Sequence, residues 1–89
     1  MDQKMRIEWT VRSIKDMRRL SPRNRELVIT KVEQYAEDSM SLANQVIVLA
    51  NSNHRRLRVG NYRVIFSVEN GAVAILLILR VRHRREAYD

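Results

Sequence analysis

The chain has 89 residues with 17 Lys and Arg, 10 Asp and Glu, a formal net charge of +7 and no cysteine. This length is enough for one domain spanning residues 1–89, and the lack of cysteine excludes disulfides and thiolate chemistry. With two histidines and no carboxylates at ligand spacing, we expect no metal and no other cofactor. No apolar run reaches the roughly 18–20 residues that cross a membrane, so we expect a soluble, cytoplasmic protein without membrane contact.

The first elements in chain order are a strand and a helix. Met5–Trp9 alternates loosely between apolar and charged residues, which predicts a strand. Either Thr10 or Ser13 then caps a helix. Apolar residues at three-residue spacing predict one buried stripe on this helix, formed by Val11, Ile14, Met17 and Leu20.

A second helix and a connection follow. Ser21 as N-cap and Pro22 at the first helical position begin a helix that extends to about position 38. We expect its buried residues to be Leu27, Val28, Val32, Tyr35 and Ala36. The flanks of residues 39–53 are rich in Ser and Asn, so this segment is predicted as an extended connection in which Val46 and Leu49 pack against the helices.

From residue 54 onwards the pattern is that of strands. Arg56 and Arg58 share one face of the first strand, and Leu57 lies on the other. Gly60-Asn61 predicts a tight turn into a second strand, Tyr62–Val68.

The last strand is predicted after Asn70-Gly71, a dipeptide typical of two-residue type I′ hairpins. Ala72–Val81 is apolar on both faces, as expected of a central strand. The end of this strand brings out Arg80, Arg82, His83, Arg84 and Arg85. The order of elements predicts an α+β domain, with an antiparallel sheet of about four strands, a helical hairpin on one face and arginines around the other.

The positive charge is concentrated in this second half. Residues 1–53 contain nine basic and seven acidic residues, whereas residues 54–89 contain eight basic and three acidic residues. All eight of these basic residues are arginines, whose planar guanidinium suits bidentate contact with phosphate or carboxylate. We therefore expect a polyanionic partner, either nucleic acid or an acidic protein, rather than only a solvated charged surface.

Two motifs in this half point to a family. The run Arg58-Val59-Gly60-Asn61-Tyr62-Arg63 and the closing run His83-Arg84-Arg85-Glu86-Ala87-Tyr88, together with the two preceding helices, resemble the RelE/ParE superfamily of bacterial toxin–antitoxin systems. The resemblance extends over nearly the whole chain. It implies a β-α-α-β-β-β fold related in shape to small microbial ribonucleases, and we expect an acidic antitoxin, encoded beside the toxin, as partner.

The resemblance leaves two activities open. RelE-type members cleave messenger RNA, usually in the ribosomal A site, whereas ParE-type members inhibit DNA gyrase without cutting nucleic acid. The closing motif favours the RelE type, a metal-independent endoribonuclease that acts on ribosome-bound message and blocks translation. The alternative is a ParE-like, non-enzymatic gyrase inhibitor.

Candidate site residues follow from the same resemblance. The RelE-type catalytic pattern falls on Arg56, Arg63, Arg84 and Tyr88, and we add His83 as a second candidate for proton donor. The expected RNA-contacting residues are His54, Arg55, Arg58, Arg82 and Arg85. His54 and Arg56 stand where the RelE-type pattern often has lysine, so the identity of the general base stays open.

The expected reaction needs three kinds of help. The ribose 2′-oxygen loses its proton, the leaving 5′-oxygen gains one, and the phosphorane between them carries extra negative charge. Arg56 and Arg63 are expected to hold the phosphate, because arginine stabilises negative charge but does not act as a base. Arg84 or His83 faces the leaving oxygen; imidazole is the better acid, whereas the family pattern favours arginine. Tyr88 either stacks on a base or helps to move the 2′ proton.

Overall fold

The computed structural model describes residues 4–86 as an α+β domain, which confirms the predicted class. The elements are β1 (Arg6–Trp9), α1 (Val11–Arg18), α2 (Pro22–Glu37), a 3-10 segment (Ser39–Gln45), β2 (Val46–Val48), β3 (Arg55–Val59), β4 (Tyr62–Glu69) and β5 (Ile75–His83). None of the helices in this part of the chain is long and apolar enough to cross a membrane.

The strands form a single mixed sheet in the order β1-β5-β4-β3-β2. β1 pairs with β5 in parallel, and the other neighbouring strands pair antiparallel. The expected antiparallel sheet of about four strands is therefore corrected to five strands with one parallel edge. The parallel pair joins the two ends of the chain, a contact that local sequence patterns do not encode.

The additional strand is β2, in the segment that we expected to be an extended connection. Val46 pairs with Leu57 and Val48 pairs with Arg55, so this segment forms an edge of the sheet. Val46 does contact the core as expected, while Ile47 and Val48 are exposed. A strand of three residues is too short for its alternation to be recognised in the sequence.

The core lies between the sheet and the two helices, which pack on one face as predicted. Tyr35 of α2 and Phe66 of β4 meet there with ring centroids 5.0 Å apart. The helices and the turn between them contribute Met17, Leu20, Val28, Val32, Tyr35 and Ala36 to this core, and β3, β4 and β5 contribute Leu57, Val59, Val64, Phe66, Leu76, Ile78 and Val81.

Helix α1 is rotated relative to the predicted apolar stripe. Thr10 is its N-cap, with Oγ1 accepting a hydrogen bond from the Ser13 amide at 3.2 Å. Val11 is 69% exposed and Ile14 is 42% exposed, whereas Ser13 and Asp16 are buried. The rotation has a physical reason, because Asp16 finds hydrogen-bond donors on β5. On α2, Leu27 was also expected to be buried, but its side chain is 42% exposed.

The two predicted turns differ in outcome. Val59 pairs with Tyr62, so Gly60-Asn61 is a two-residue turn, and Gly60 has a φ of 56° that glycine adopts without strain. The prediction for Asn70-Gly71 is wrong. Glu69 pairs with Ile75 across a five-residue loop, and neither Asn70 nor Gly71 has the positive φ that a type I′ turn requires.

A β-bulge in β5 determines which residues reach each face near the end of the sheet. Phe66 pairs with Ile78, but the preceding residue, Ile65, pairs with Arg80, so Leu79 is an extra residue. Ile78 before the bulge and Val81 after it are both buried against the helices. The bulge therefore moves Arg82 to the face of the sheet opposite the helices.

Candidate functional site

The face of the sheet opposite the helices has four arginines on three adjacent strands. Arg58 pairs with Arg63, Arg63 pairs with Arg82, and Arg56 lies two residues before Arg58 on β3. Directly opposed residues in antiparallel strands project from the same face, and residues two apart on a strand do as well. We call Arg56, Arg58, Arg63 and Arg82 the arginine face.

Arg63 is central to this face and surrounded by positive charge. Its guanidinium donates hydrogen bonds from Nη1 to the carbonyl oxygens of Gly60 at 3.2 Å and Tyr62 at 3.1 Å. Burial lowers the pKa of Arg63, and the charges of Arg56, Arg58 and Arg84 lower it further. Among residues 4–86, Arg63 forms no ion pair with a carboxylate. This cluster of like charges therefore favours binding of an anion.

A depression of about 190 Å³ lies beside these guanidinium groups. Its lining consists of Arg56, Arg58 and Arg63 from β3 and β4, and of Asn44, Gln45 and Ile47 from the segment that precedes β3. Oε1 of Gln45 is buried and accepts no hydrogen bond from the described residues. The depression therefore presents three cations to solvent, a set that suits an anionic group such as a phosphate.

The closing motif divides between the two faces of the sheet. The Arg84 amide donates to the Asn61 carbonyl at 2.7 Å, which holds this residue beside the β3–β4 turn and close enough to influence Arg63. His83 pairs with Tyr62, and their rings meet edge to face at 5.4 Å. Because Tyr62 packs against the core, the His83 ring lies on the helix side, opposite the arginine face.

Arg80 has a different environment from the arginine face, because a carboxylate binds it. Its Nε donates to Asp16 Oδ2 at 2.9 Å and its Nη2 to Oδ1 at 3.3 Å, and the Val81 amide also donates to Oδ2 at 2.9 Å. Burial raises the pKa of Asp16, but the hydrogen bonds from Arg80 and Val81 and the charges of Arg80 and Arg19 outweigh this effect and lower it overall. This pair fixes α1 to β5.

The family follows from a comparison with protein-family models. The model described as "ParE toxin of type II toxin-antitoxin system, parDE" matches residues 7–88. The chain belongs to this family. It is therefore a toxin of a type II toxin–antitoxin system within the RelE/ParE superfamily, as the two motifs predicted. No curated protein matches the sequence of the toxin significantly.

Solved structures support the fold of the toxin. The archaeal RelE–RelB complex from Pyrococcus horikoshii is similar with a TM-score of 0.76 and 22% identity, covering 96% of this chain and 100% of that one. The YoeB/ParE toxin from Agrobacterium tumefaciens has a TM-score of 0.70 and 18% identity, covering 89% and 98%. The RelB–RelE complex from Methanococcus jannaschii has a TM-score of 0.66 and 24% identity, covering 91% and 94%.

The other expected site residues of the toxin do not join the arginine face. Arg55 pairs with Phe66, so it belongs to the register of the helix side. His54 and Arg85 are exposed in the segments that flank β3 and β5, and Tyr88 lies outside the described residues. Among residues 4–86, no group of three His, Cys, Asp or Glu side chains is arranged to hold a metal ion.

Sequence analysis did not select three polar residues of the toxin that line the depression or bind Arg80. Asn44 and Gln45 border the depression, and Asp16 holds Arg80. Asn44 and Gln45 gave no signal because they lie in an irregular segment. Asp16 did give a signal in the sequence, because Ser13, Asp16, Met17 and Leu20 follow each other at helical spacing. These four residues are the buried positions of α1 and of the turn after it.

Proposed function

We propose that the toxin cleaves messenger RNA at the arginine face, acting on ribosome-bound message and thereby blocking translation. One observation supports this function most: Arg63 lies beside Arg56, Arg58 and Arg84, and no described carboxylate neutralises it. Keeping like charges together costs free energy in the free protein. A bound phosphodiester, whose charge increases in the transition state, offsets this cost.

The chemistry assigned to these residues is a transesterification. The 2′-oxygen of the ribose forms a bond to phosphorus while the bond to the 5′-oxygen breaks, which gives a 2′,3′-cyclic phosphate and a free 5′-hydroxyl. Arg63 and Arg56 stabilise the two non-bridging oxygens of the phosphorane. One proton leaves the 2′-hydroxyl and one reaches the 5′-oxygen. Tyr88 remains the candidate for the first transfer or for stacking on a base.

For the second proton, the geometry favours Arg84 over His83. The Arg84 charge acts on Arg63, whereas the His83 ring contacts Tyr62 on the helix side. A proton donor must come within hydrogen-bond distance of the leaving oxygen. With the phosphate at Arg63, the leaving oxygen would lie on the face of the sheet opposite the one where the His83 ring contacts Tyr62.

A second candidate function is ParE-like inhibition of DNA gyrase. The matching family model is that of ParE toxins, and such an inhibitor needs no acid–base residues. The position of His83 also favours it, because no imidazole of the β5 motif accompanies the arginines. In this case the arginine face would bind an acidic surface or DNA rather than a scissile phosphate.

Induced expression distinguishes the two functions. For the nuclease, primer extension on total RNA should show new 5′ ends inside coding regions soon after induction, and Arg63→Ala should abolish them. For the gyrase inhibitor, transcripts stay intact, cells filament with a DNA-damage response, and purified toxin blocks supercoiling. Intact transcripts together with blocked supercoiling would reject the nuclease proposal.

We also propose an acidic antitoxin as partner, because two of the similar structures are RelE–RelB complexes and this toxin carries a net charge of +7. An apolar groove of about 240 Å³ between β1, α1 and α2 is suited to the apolar side of such a partner. We call it the apolar groove, and its lining is Ile7, Trp9, Ile14, Met17 and Ile29, with Arg25 and Glu33 also bordering it.

Co-purification with the product of the neighbouring gene tests this partner. Ile14→Asp should weaken the complex, because it puts a charge into the apolar groove beside an acidic partner. Val11→Asp is the matched control, since Val11 is exposed on the same helix and does not line the groove. If both variants co-purify like the parent protein, the groove is not the contact.

A further inference from the structure

Helix α1 has a second, strongly charged side that neither the arginine face nor the apolar groove includes. Arg12, Lys15, Asp16 and Arg19 line a groove of about 380 Å³ together with Arg80 of β5. Residues three and four apart on a helix lie on the same side, which is the spacing of Arg12, Lys15 and Arg19. We call these five residues the α1 groove.

Three of the four cations in the α1 groove form no direct ion pair in the described part of the chain, although the charge of Arg19 also acts on Asp16. Asp16 is the only carboxylate in the lining, and it is occupied by Arg80 and the Val81 amide. Arg12, Lys15 and Arg19 form no ion pair among residues 4–86. The groove therefore presents three exposed cations on a helix that the Asp16–Arg80 pair fixes to the sheet.

The α1 groove is continuous with the arginine face. A neighbouring cavity of about 200 Å³ shares Asp16, Arg19 and Arg80 with the groove and adds Arg82, with Glu86 as its other carboxylate. Arg82 in turn pairs with Arg63. Positive charge thus runs from α1, around the end of β5, to the site proposed for cleavage.

The contrast between the two sides of α1 indicates what the α1 groove binds. The apolar groove is lined mainly by large apolar side chains, as the core of a protein interface is, whereas the α1 groove is lined by charged residues only. Phosphate contacts by Arg and Lys, without apolar burial, are typical of binding to a nucleic-acid backbone. An acidic protein segment could use the same charges but would lack an apolar anchor there.

We propose that the α1 groove binds the phosphate backbone of the RNA strand that continues beyond the nucleotide held at the arginine face. This inference rests on the proposed function for the location of the first nucleotide, but it concerns binding and not cleavage. It makes Arg12, Lys15 and Arg19 RNA-contacting residues that extend the site beyond the scissile bond.

Binding of single-stranded RNA of two lengths to the purified full-length toxin tests this proposal. Fully 2′-O-methylated oligonucleotides resist cleavage, and lengths of about five and about fifteen nucleotides span the usual range of single-strand sites. The test variant is Arg12→Gln/Lys15→Gln/Arg19→Gln. The control Lys4→Gln/Arg23→Gln/Lys31→Gln removes the same charge from positions that line neither the α1 groove nor the arginine face.

The expected result is a weakening that depends on length. The test variant should bind the long oligonucleotide roughly tenfold more weakly at low salt, and its log–log salt slope should be shallower by about 0.7 for each phosphate that the variant no longer neutralises. Its affinity for the short oligonucleotide should equal that of the parent. The control should bind both oligonucleotides as the parent does, and Arg63→Gln should weaken both.

Other results would overturn the proposal. Equal losses for test and control variants would mean that net charge alone decides affinity. Unchanged RNA binding together with weakened antitoxin binding would assign the α1 groove to an acidic peptide. Failure of the nuclease function looks different: message on programmed ribosomes would survive intact in the presence of the toxin, while the length-dependent loss of oligonucleotide binding would persist.

Discussion

Arg63 and Arg80 lie on adjacent strands, close to each other in the sheet, yet their surroundings shift their pKa values in opposite directions. Burial and three neighbouring arginines lower the pKa of Arg63. The hydrogen bond to Asp16 raises the pKa of Arg80, and the charges of Asp16 and Glu86 add to this, against the opposing effect of burial. The same residue type thus serves two purposes on one sheet, and the presence of a carboxylate partner distinguishes them.

This difference separates stability from function. An arginine bound by a carboxylate and fixed to a helix contributes to folding, whereas an arginine beside like charges opposes folding and favours an anionic ligand. Removing Arg63 should therefore impair function without loss of stability. Removing the partner of Arg80 should do the reverse.

The largest expected effect is that of Arg63→Ala on cleavage. Single-turnover cleavage on programmed ribosomes should fall roughly 10²–10³-fold, as is usual when one donor to a developing oxyanion is removed. Stability measured by urea unfolding should stay within about 0.5 kcal/mol of the parent, because the like charges are relieved. Arg23→Ala, an exposed arginine on α2, is the control. Unfolding of the variant, or undiminished cleavage, would show that Arg63 is not the phosphate-binding group.

The second effect is that of Asp16→Ala on stability. It leaves the partly buried Arg80 without its counter-ion and the Val81 amide without an acceptor, which should cost about 2–3 kcal/mol, less than for a fully buried pair because Arg80 is partly solvated. Glu8→Ala is the control, since the exposed Arg6–Glu8 pair, whose charged atoms lie 3.8 Å apart, should contribute less than about 0.5 kcal/mol to stability. Equal losses in the two variants would remove the distinction between Arg63 and Arg80.

Sequence patterns predicted the parts of the fold that depend on local order. Ser21-Pro22 located the start of α2, and Gly60-Asn61 located the turn that precedes β4, the strand of Arg63. The patterns missed features that depend on distant partners, such as the parallel pairing of β1 with β5 and the rotation of α1 towards Asp16. In each case the decisive hydrogen-bond partner lies more than sixty residues away in the chain.

The candidate site was predictable to the same extent. Arg56, Arg58 and Arg63 were visible because alternation and a two-residue turn fix their register. The positions of Arg82 and His83 depend on the bulge at Leu79, which is hidden in a strand that is apolar on both faces. Without knowledge of the bulge, the sequence leaves open which of these two residues shares a face with Arg63.

A smaller effect on stability is expected when the pH is lowered. Because the pKa of Asp16 is lower in the folded protein than its ordinary value of 3.8, its ionised form stabilises the fold above that value, and this stability is lost as the pH falls through the folded pKa. Urea unfolding between about pH 5 and pH 2 should show a steeper loss for the parent than for Asp16→Asn. Parallel curves would mean that the Asp16–Arg80 pair contributes no pH-dependent stability.

The smallest expected effect is that of His83→Gln on cleavage. It is compared with the effect of Arg84→Ala, a change at the next residue in the chain. His83 contacts Tyr62 on the helix side, whereas the charge of Arg84 lowers the pKa of Arg63, so we expect Arg84 to be the proton donor at the arginine face. Single-turnover rates should change by no more than about twofold for His83→Gln and by roughly tenfold or more for Arg84→Ala.

The pH profile adds a test that does not depend on the size of these losses. A guanidinium stays protonated from about pH 5.5 to 9. A toxin that uses an arginine as its general acid should therefore show no fall in rate as the pH rises through neutrality. The parent and His83→Gln should therefore give superimposable profiles. A fall in rate with rising pH that is present in the parent and absent from His83→Gln would make His83 the proton donor. The phosphate would then have to bind at the end of β5 rather than over Arg63.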